Sequence, residues 1–125
     1  MLIYFFSADS EFHSFAGSII TDNRDTIFIT HKSITEFVCV LSKIKMYEII
    51  DKELPEIINN FNILFPDNTS LLIFNKLVFE HKPNGNKAYD YDIASVMLAN
   101  NINKIVTING DDFKKIKEIS VISNK

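Results

Sequence analysis

Apolar residues follow strand spacing and helix spacing in turn along the chain. Four short runs rich in β-branched and aromatic residues predict strands: TIFIT, NILF, KIVTI and ISVIS. Helical spacing predicts helices over residues 10–20, 31–44, 46–60, 70–81, 89–101 and, briefly, 111–116. Pro55 is expected to kink or divide the third of these helices. The helix over 70–81 has apolar residues around most of its circumference, which predicts deep burial.

This alternation of strands and helices is typical of a parallel sheet covered by helices on both faces. With 125 residues and 46% hydrophobic content, we expect a single α/β domain over residues 1–125. The apolar N-terminal run MLIYFF lacks a basic flank and is too short for a membrane span, so we expect a cytoplasmic protein with no membrane partner. Cys39, the single cysteine, fits a reduced thiol packed in a helix.

The net charge of −3 gives no broad basic surface for a nucleic acid. A polyanion would therefore be bound through local lysines or through a bridging cation. Acidic and amide residues are placed where such a cation could bind. In an open parallel sheet, the functional crevice lies outside the carboxyl ends of the strands, where the helices begin. The residues predicted at those positions are Glu36, Asp90, Asn109, Asp111 and Asp112. Hard divalent cations prefer several such oxygen ligands, so a metal site is one interpretation.

Helix capping is the competing interpretation of the same residues. Ser33 to Glu36 reads SITE and satisfies the capping-box pattern, and the NGDD segment, 109–112, is a close variant. Acids in a first helical turn also complement the helix dipole. His13, His31 and His81 lie in different predicted elements without the spacing of metal ligands. Spacing alone therefore leaves both interpretations open.

Two tyrosines flank the predicted start of the fifth helix. Tyr89 and Tyr91, on either side of Asp90, are candidates for stacking on a base, although packing explains them as well. Asp92 is the less favoured acid, because residues two apart on a helix face different directions.

The segments taken in order resemble a PIN domain, the small metal-dependent ribonuclease fold of VapC-type toxins. The specific part is NGNKAYDYDIASVMLANNINKIVTINGDDF, residues 84–113. It resembles the family's glycine loop, a helix opening on an aspartate, a strand ending in Thr-x-Asn/Asp and an Asp-Phe pair. The segment ITHKSITEFVCVLSK resembles, more loosely, the part whose helix carries the family's second acid.

The resemblance implies which residues form the site. Glu36, Asp90, Asn109 and Asp112 take the positions of catalytic and metal-ligating residues for Mg²⁺ or Mn²⁺, with Thr107 in the strand-end pair. It also implies a three-layer α/β/α fold. The family's first, central strand ends in Asp-Thr-Asn, and LIYFFSADSEFH resembles the helix and loop that follow that strand. We therefore expect the central strand and its aspartate to be missing from this sequence. Asp9 is then excluded as a replacement ligand, because it follows no strand.

The resemblance implies a Mg²⁺- or Mn²⁺-dependent endoribonuclease, a hydrolase of RNA and the toxin of a toxin–antitoxin pair. A protein antitoxin and a second copy of the chain are the expected partners besides RNA. Without its first strand, the chain is expected to be impaired and to be a shortened form of the natural protein. The alternative is a catalytically inactive PIN-like module that binds RNA or protein. Lys82, Lys87, Tyr89 and Tyr91 are the candidate contact residues for that role.

Overall fold

A five-stranded parallel sheet forms the centre of the protein. The computed structural model describes residues 27–107 and 110–122, and the backbone alone of residues 2–4. The strands are β1 (Leu2–Tyr4), β2 (Phe28–Thr30), β3 (Asn62–Leu64), β4 (Lys104–Thr107) and β5 (Ser120–Ile122). Their order across the sheet is β3-β2-β1-β4-β5, with every neighbouring pair parallel.

β1 lies between β2 and β4, at the centre of the sheet. Leu2 pairs with Phe28 on one side, and Leu2 to Tyr4 pair in register with Ile105 to Thr107 on the other. The prediction that the central strand is missing is therefore wrong. A continuous apolar run such as LIYFF is compatible with a buried strand as well as with a helix, and periodicity alone does not separate them. The argument that excluded Asp9 fails with that prediction, and Asp9 itself lies outside the described residues.

Four α-helices connect the strands in the described part of the chain: α1 (His31–Lys43), α2 (Tyr47–Asn60), α3 (Asn68–His81) and α4 (Lys87–Ala99). A short 3₁₀ helix, Gly110–Asp112, follows β4. The predicted helix over residues 10–20 lies outside the described residues. Helix α2 runs without interruption through Pro55, so the proline does not divide it. The predicted mixed α/β fold with a parallel sheet is confirmed, and the three-layer arrangement stays a prediction.

Helix α1 begins at the predicted residue, whereas α3 and α4 begin earlier than predicted. Helix α1 begins directly after β2, and its N-cap is Thr30, whose side-chain oxygen accepts a hydrogen bond from the backbone N–H of Ser33 at 3.1 Å. Helix α3 begins at Asn68 and is capped by Asp67, which forms a reciprocal capping box with Ser70. Helix α4 begins two residues before the predicted start.

The hydrophobic core is formed by α3, α4, the two C-terminal strands and the segment between them. Its fully buried members include Ile93 and Met97 of α4, Ile105 of β4, and Phe113. Helix α3 contributes the buried side chain of Leu77, while Leu72 is 72% exposed. The prediction of deep burial for α3 is wrong, because a high apolar content does not require that every apolar face has a partner. Cys39 is also exposed, in contrast to its predicted packing.

Candidate functional site

Helices α1 and α4 and the 3₁₀ helix carry three acids that interact electrostatically. Glu36 lies in the second turn of α1, Asp90 in the first turn of α4, and Asp112 at the end of the 3₁₀ helix. The negative charges of Asp112 and Glu36 both raise the pKa of Asp90. We call these three residues the acidic cluster. The fold thus brings into mutual range three of the residues predicted as ligands, and the fourth, Asn109, lies outside the described residues.

The carboxyl group of Asp90 has the most perturbed acidity of the cluster. Its pKa is raised from 3.8 to about 6, first by burial and then by the charges of Asp112 and Glu36, while Lys87 opposes the shift. A pKa near neutrality means that part of the population holds a proton there at physiological pH. Burial is the largest cause of this shift, and repulsion from the two neighbouring acids adds to it.

Capping does not explain Glu36. Because α1 begins at His31, Glu36 is the sixth residue of the helix, and no acid occupies its first turn. Ser33, which the sequence pattern marks as the cap, is instead buried and donates its backbone N–H to Thr30. The capping-box interpretation of SITE is wrong, and so is the placement of Glu36 in the first turn.

Lys87, expected only as a contact residue for RNA or protein, forms an ion pair with an acid of the cluster. Its Nζ lies 3.3 Å from Oδ1 of Asp112, and the two side chains are 58% and 33% exposed. Lys87 is the first residue of α4, so this ion pair connects the start of that helix to the 3₁₀ helix 25 residues later. No local pattern contains both residues, which is why sequence reasoning missed the contact.

Asp92 has a different environment from Asp90. Burial raises its pKa and the charge of Lys32 lowers it, with no contribution from the acidic cluster. The Nζ of Lys32 also lies 3.8 Å from the ring centroid of Tyr89, which is half-exposed. The expectation that Asp90 and Asp92 face different surroundings agrees with this arrangement.

The remaining aromatic, histidine and lysine residues named from the sequence differ in what their side chains contact. Tyr91 is buried against His81, with ring centroids 5.2 Å apart, so it offers no stacking surface. His31 contacts the ring of Phe65. Lys82 ends α3 in the left-handed conformation and lies over Phe79, so its ammonium contacts an aromatic ring rather than an acid of the cluster. Among these residues, Tyr89 is the aromatic side chain exposed next to Asp90.

The donor chemistry of the acidic cluster suits a hard divalent cation, since all three side chains offer carboxylate oxygens. Within residues 27–107 and 110–122, however, no three acid, histidine or cysteine side chains are close enough together to ligate one ion. The carboxyl groups interact by charge without sharing a coordination sphere. In this arrangement Asp112 instead accepts the ammonium group of Lys87.

In the parts of the chain that the structure describes, no helix is both long enough and apolar enough to span a bilayer.

Comparison with known proteins finds the fold in solved VapBC structures. No protein-family model and no curated protein matches the chain. The structure is similar to VapBC2 from Rickettsia felis bound to a DNA fragment from its promoter, with a TM-score of 0.71, 22% identity, and coverage of 94% of this chain and 87% of that one. It is also similar to DNA-bound VapBC from Salmonella typhimurium (TM-score 0.70, 19% identity, 86% and 83% covered). A third match is VapBC-1 from nontypeable Haemophilus influenzae (TM-score 0.69, 19% identity, 98% and 96% covered). The chain therefore has a VapC-like fold.

Proposed function

We propose that this chain is a PIN-type endoribonuclease that requires Mg²⁺ or Mn²⁺ and is the toxin of a toxin–antitoxin pair. The observation that carries the proposal is the acidic cluster, in which burial and the charges of two acids from other elements raise the pKa of Asp90 to about 6. Perturbed acids that converge from separate segments are characteristic of functional sites. A VapC-like fold supports the same assignment.

In this proposal, Asp90, Glu36 and Asp112 hold the divalent cation, with Asn109 as a further oxygen ligand. When bound, the cation lowers the pKa of the attacking water and offsets negative charge on the scissile phosphate. The three carboxylates repel RNA in the absence of metal, so RNA binding and metal binding are expected to be coupled. Tyr89, half-exposed beside Asp90 with the Lys32 ammonium group over its ring, is proposed to stack on a nucleobase.

The proposed partners and location follow from the same fold. The matched structures are VapBC complexes, and we propose a protein antitoxin and a second copy of this chain as partners. We propose a cytoplasmic location, where RNA substrates are present.

RNA cleavage by matched aspartate variants tests the proposal. Labelled structured and single-stranded RNAs are incubated with Mn²⁺ or Mg²⁺ and wild-type protein, Asp90→Asn or Asp92→Asn. We expect cleavage by wild type and by Asp92→Asn, loss of cleavage in Asp90→Asn, and loss of cleavage for all three proteins in EDTA. Asp92 is the matched control because it lies on the same helix, is also partly buried, and interacts with Lys32 rather than with the acidic cluster. Equal cleavage by both variants would refute the assignment of Asp90.

A catalytically inactive PIN-like module that binds RNA or protein is the second candidate. The observation that favours it is that no three ligating side chains share a coordination sphere in the described residues. Thermal stability with and without Mn²⁺ separates the two functions. A protein with a functional metal site gains stability on binding by mass action, and an inactive module without one does not.

A further inference from the structure

Two exposed aromatic side chains flank the start of helix α1. The first two residues of that helix are His31 and Lys32, and each contacts a ring from another element. The imidazole of His31 lies against Phe65, with ring centroids 5.5 Å apart and ring planes tilted by 32°. The ammonium group of Lys32 lies 3.8 Å from the ring centroid of Tyr89. Phe65 and Tyr89 are 60% and 49% exposed, so both keep accessible surface beside these contacts.

The fold places both rings at the carboxyl ends of the strands. Helix α1 begins directly after Thr30, the last residue of β2, and Phe65 directly follows Leu64, the last residue of β3. Thr30 and Leu64 are partners in the sheet, so the two strands end at the same level. Tyr89 reaches this position from the first turn of α4, through its contact with Lys32. The rings therefore lie at the edge of the sheet where ligands bind in open α/β folds.

The backbone on both sides of Phe65 is held in place. Strand β3, which is paired with β2, ends at the preceding residue. Pro66 has a fixed φ and disfavours a helical conformation for Phe65. Asp67 then caps α3, and its Oδ1 accepts a hydrogen bond from the backbone N–H of Ser70 at 2.8 Å. An aromatic ring presented by such a segment loses little conformational freedom when a ligand stacks on it.

Stacking, rather than charge, is what these rings offer a nucleic acid. The net charge of −3 gives no broad basic surface, so contacts with phosphate groups alone would bind weakly. Lys32 is a cation at this position, and no acid occupies the first turn of α1. The charge of Lys32 also acts on Asp92, however, which partly offsets it. Stacking on an aromatic ring adds affinity without further positive charge, because every base has an apolar face.

We propose that Phe65, supported by His31, is a second base-stacking position for single-stranded RNA, besides Tyr89. The inference rests on the proposed function in taking RNA as the substrate, and it adds the form of the RNA and where its bases lie. Successive residues of a helix point about 100° apart around its axis, so Phe65 and Tyr89 contact different sides of the start of α1. Each ring then takes a separate base. Bases in a duplex stack on one another, so the RNA bound here is single-stranded.

RNA binding in EDTA tests this inference without metal or cleavage. Fluorescence anisotropy at low ionic strength measures the Kd of a labelled single-stranded RNA for wild type and variants. We expect the Kd to rise about tenfold in Phe65→Ala, the scale of losing one stacked base. Phe65→Trp keeps a stacking ring and is expected to bind as tightly as wild type. Repulsion by the acidic cluster weakens binding in all of these proteins, so the ratio of Kd values is the readout.

Tyr47→Ala is the matched control. Tyr47 is an aromatic residue that is 55% exposed, close in sequence to the exposed Lys43. It begins α2, just beyond the far end of α1, and the two ends of that 13-residue helix are about 18 Å apart. We expect this variant to bind RNA as wild type does. An equal rise in Kd for Tyr47→Ala and Phe65→Ala would show unspecific contact with exposed rings and would overturn the inference.

An RNA of the same length that contains abasic residues distinguishes stacking from contact with the backbone. It keeps the phosphate charges and lacks bases. We expect it to bind more weakly than the normal RNA, with the same Kd for wild type and Phe65→Ala. If Phe65→Ala weakens the binding of both RNAs by the same factor, the ring does not act by stacking and the inference is wrong.

The remaining outcomes separate this inference from the proposed function. If wild type binds single-stranded RNA and Phe65→Ala binds it equally well, the inference fails, the ring is left as a surface for a protein partner, and the proposed function stands. If Phe65→Ala binds RNA more weakly but wild type cleaves no RNA with Mn²⁺, the inference stands and the nuclease assignment fails. If wild type binds no RNA in EDTA, the inference is overturned, and the cleavage assay alone decides the proposed function.

Discussion

Replacement of Asp90 by asparagine is expected to stabilise the metal-free protein at neutral and alkaline pH. The pKa of Asp90 is about 6 in the folded protein against 3.8 for the ordinary side chain. Between these values the folded state binds more protons than the unfolded state, so stability falls as pH rises through this range. Above it, the full penalty of the buried, repelled carboxylate remains. Asparagine has nearly the same shape and no charge, so the variant avoids that penalty.

The size of the expected gain in stability follows from the shift in the pKa of Asp90. A difference of roughly 2 pKa units corresponds to about 3 kcal/mol at about 1.36 kcal/mol per unit, which is an upper limit. Because the carboxyl group is only half-buried, solvent screening reduces this to about 1.5 kcal/mol. The lost attraction between a first-turn carboxylate and the helix dipole subtracts about 0.5 kcal/mol. We expect Asp90→Asn to gain about 1 kcal/mol in the free energy of unfolding at pH 8, and close to nothing at pH 4.

Urea denaturation of both proteins in EDTA, at intervals from pH 4 to pH 8, measures this difference. Carboxyl groups outside the cluster titrate in both proteins and largely cancel in the comparison. Asp111→Asn, at a side chain that is 92% exposed, is the control and is expected to show only a small difference from wild type at every pH. A variant of Asp90 that is less stable than wild type at pH 8, or a gain that does not change with pH, would refute the electrostatic reasoning. Saturating Mn²⁺ is expected to reverse the order, because wild type alone gains the full stabilisation of metal binding.

Two further predictions concern the fold. Ile3→Pro removes a backbone hydrogen-bond donor from the central strand, where Ile3 pairs with Val106. We expect this variant to lose at least about 1–3 kcal/mol in the free energy of unfolding, measured by urea denaturation. A variant as stable as wild type would contradict the placement of β1. Asp67→Ala removes the N-cap of α3, and we expect a loss of about 1 kcal/mol in the same assay, with the exposed neighbour variant Thr69→Ala near wild type. Equal losses in both would show that the cap is not the source of the stability.

The elements predicted from periodicity are those with strong local signals. Helix α1 and strand β4 agree with their predicted ranges to within one residue, because each combines a regular apolar pattern with clear end signals. The failure at β1 has a physical reason. Central strands of parallel sheets have continuous apolar sequences, so the three residues of β1 show no alternation that distinguishes a strand from the start of a helix.

Helix α3 shows that the burial of a helix is also difficult to predict from its sequence. Its composition indicates burial on all sides, yet among its residues only Ser70 and Leu77 are buried. Burial depends on which faces meet a partner, and that is a property of the topology rather than of the helix sequence. The exposed face of α3 includes Leu72 and Phe79, which local pattern cannot distinguish from core residues.

The candidate site could be predicted in part because one topological rule acts on several segments at once. Placing functional residues at the carboxyl ends of parallel strands selected Glu36, Asp90, Asn109, Asp111 and Asp112, and three of these, Glu36, Asp90 and Asp112, interact electrostatically in the folded chain. The rule says nothing about Lys87, whose significance depends on a contact across 25 residues and on its distance from a single oxygen. Acids at strand ends follow from the order of elements, whereas a counter-ion for them follows only from the folded geometry.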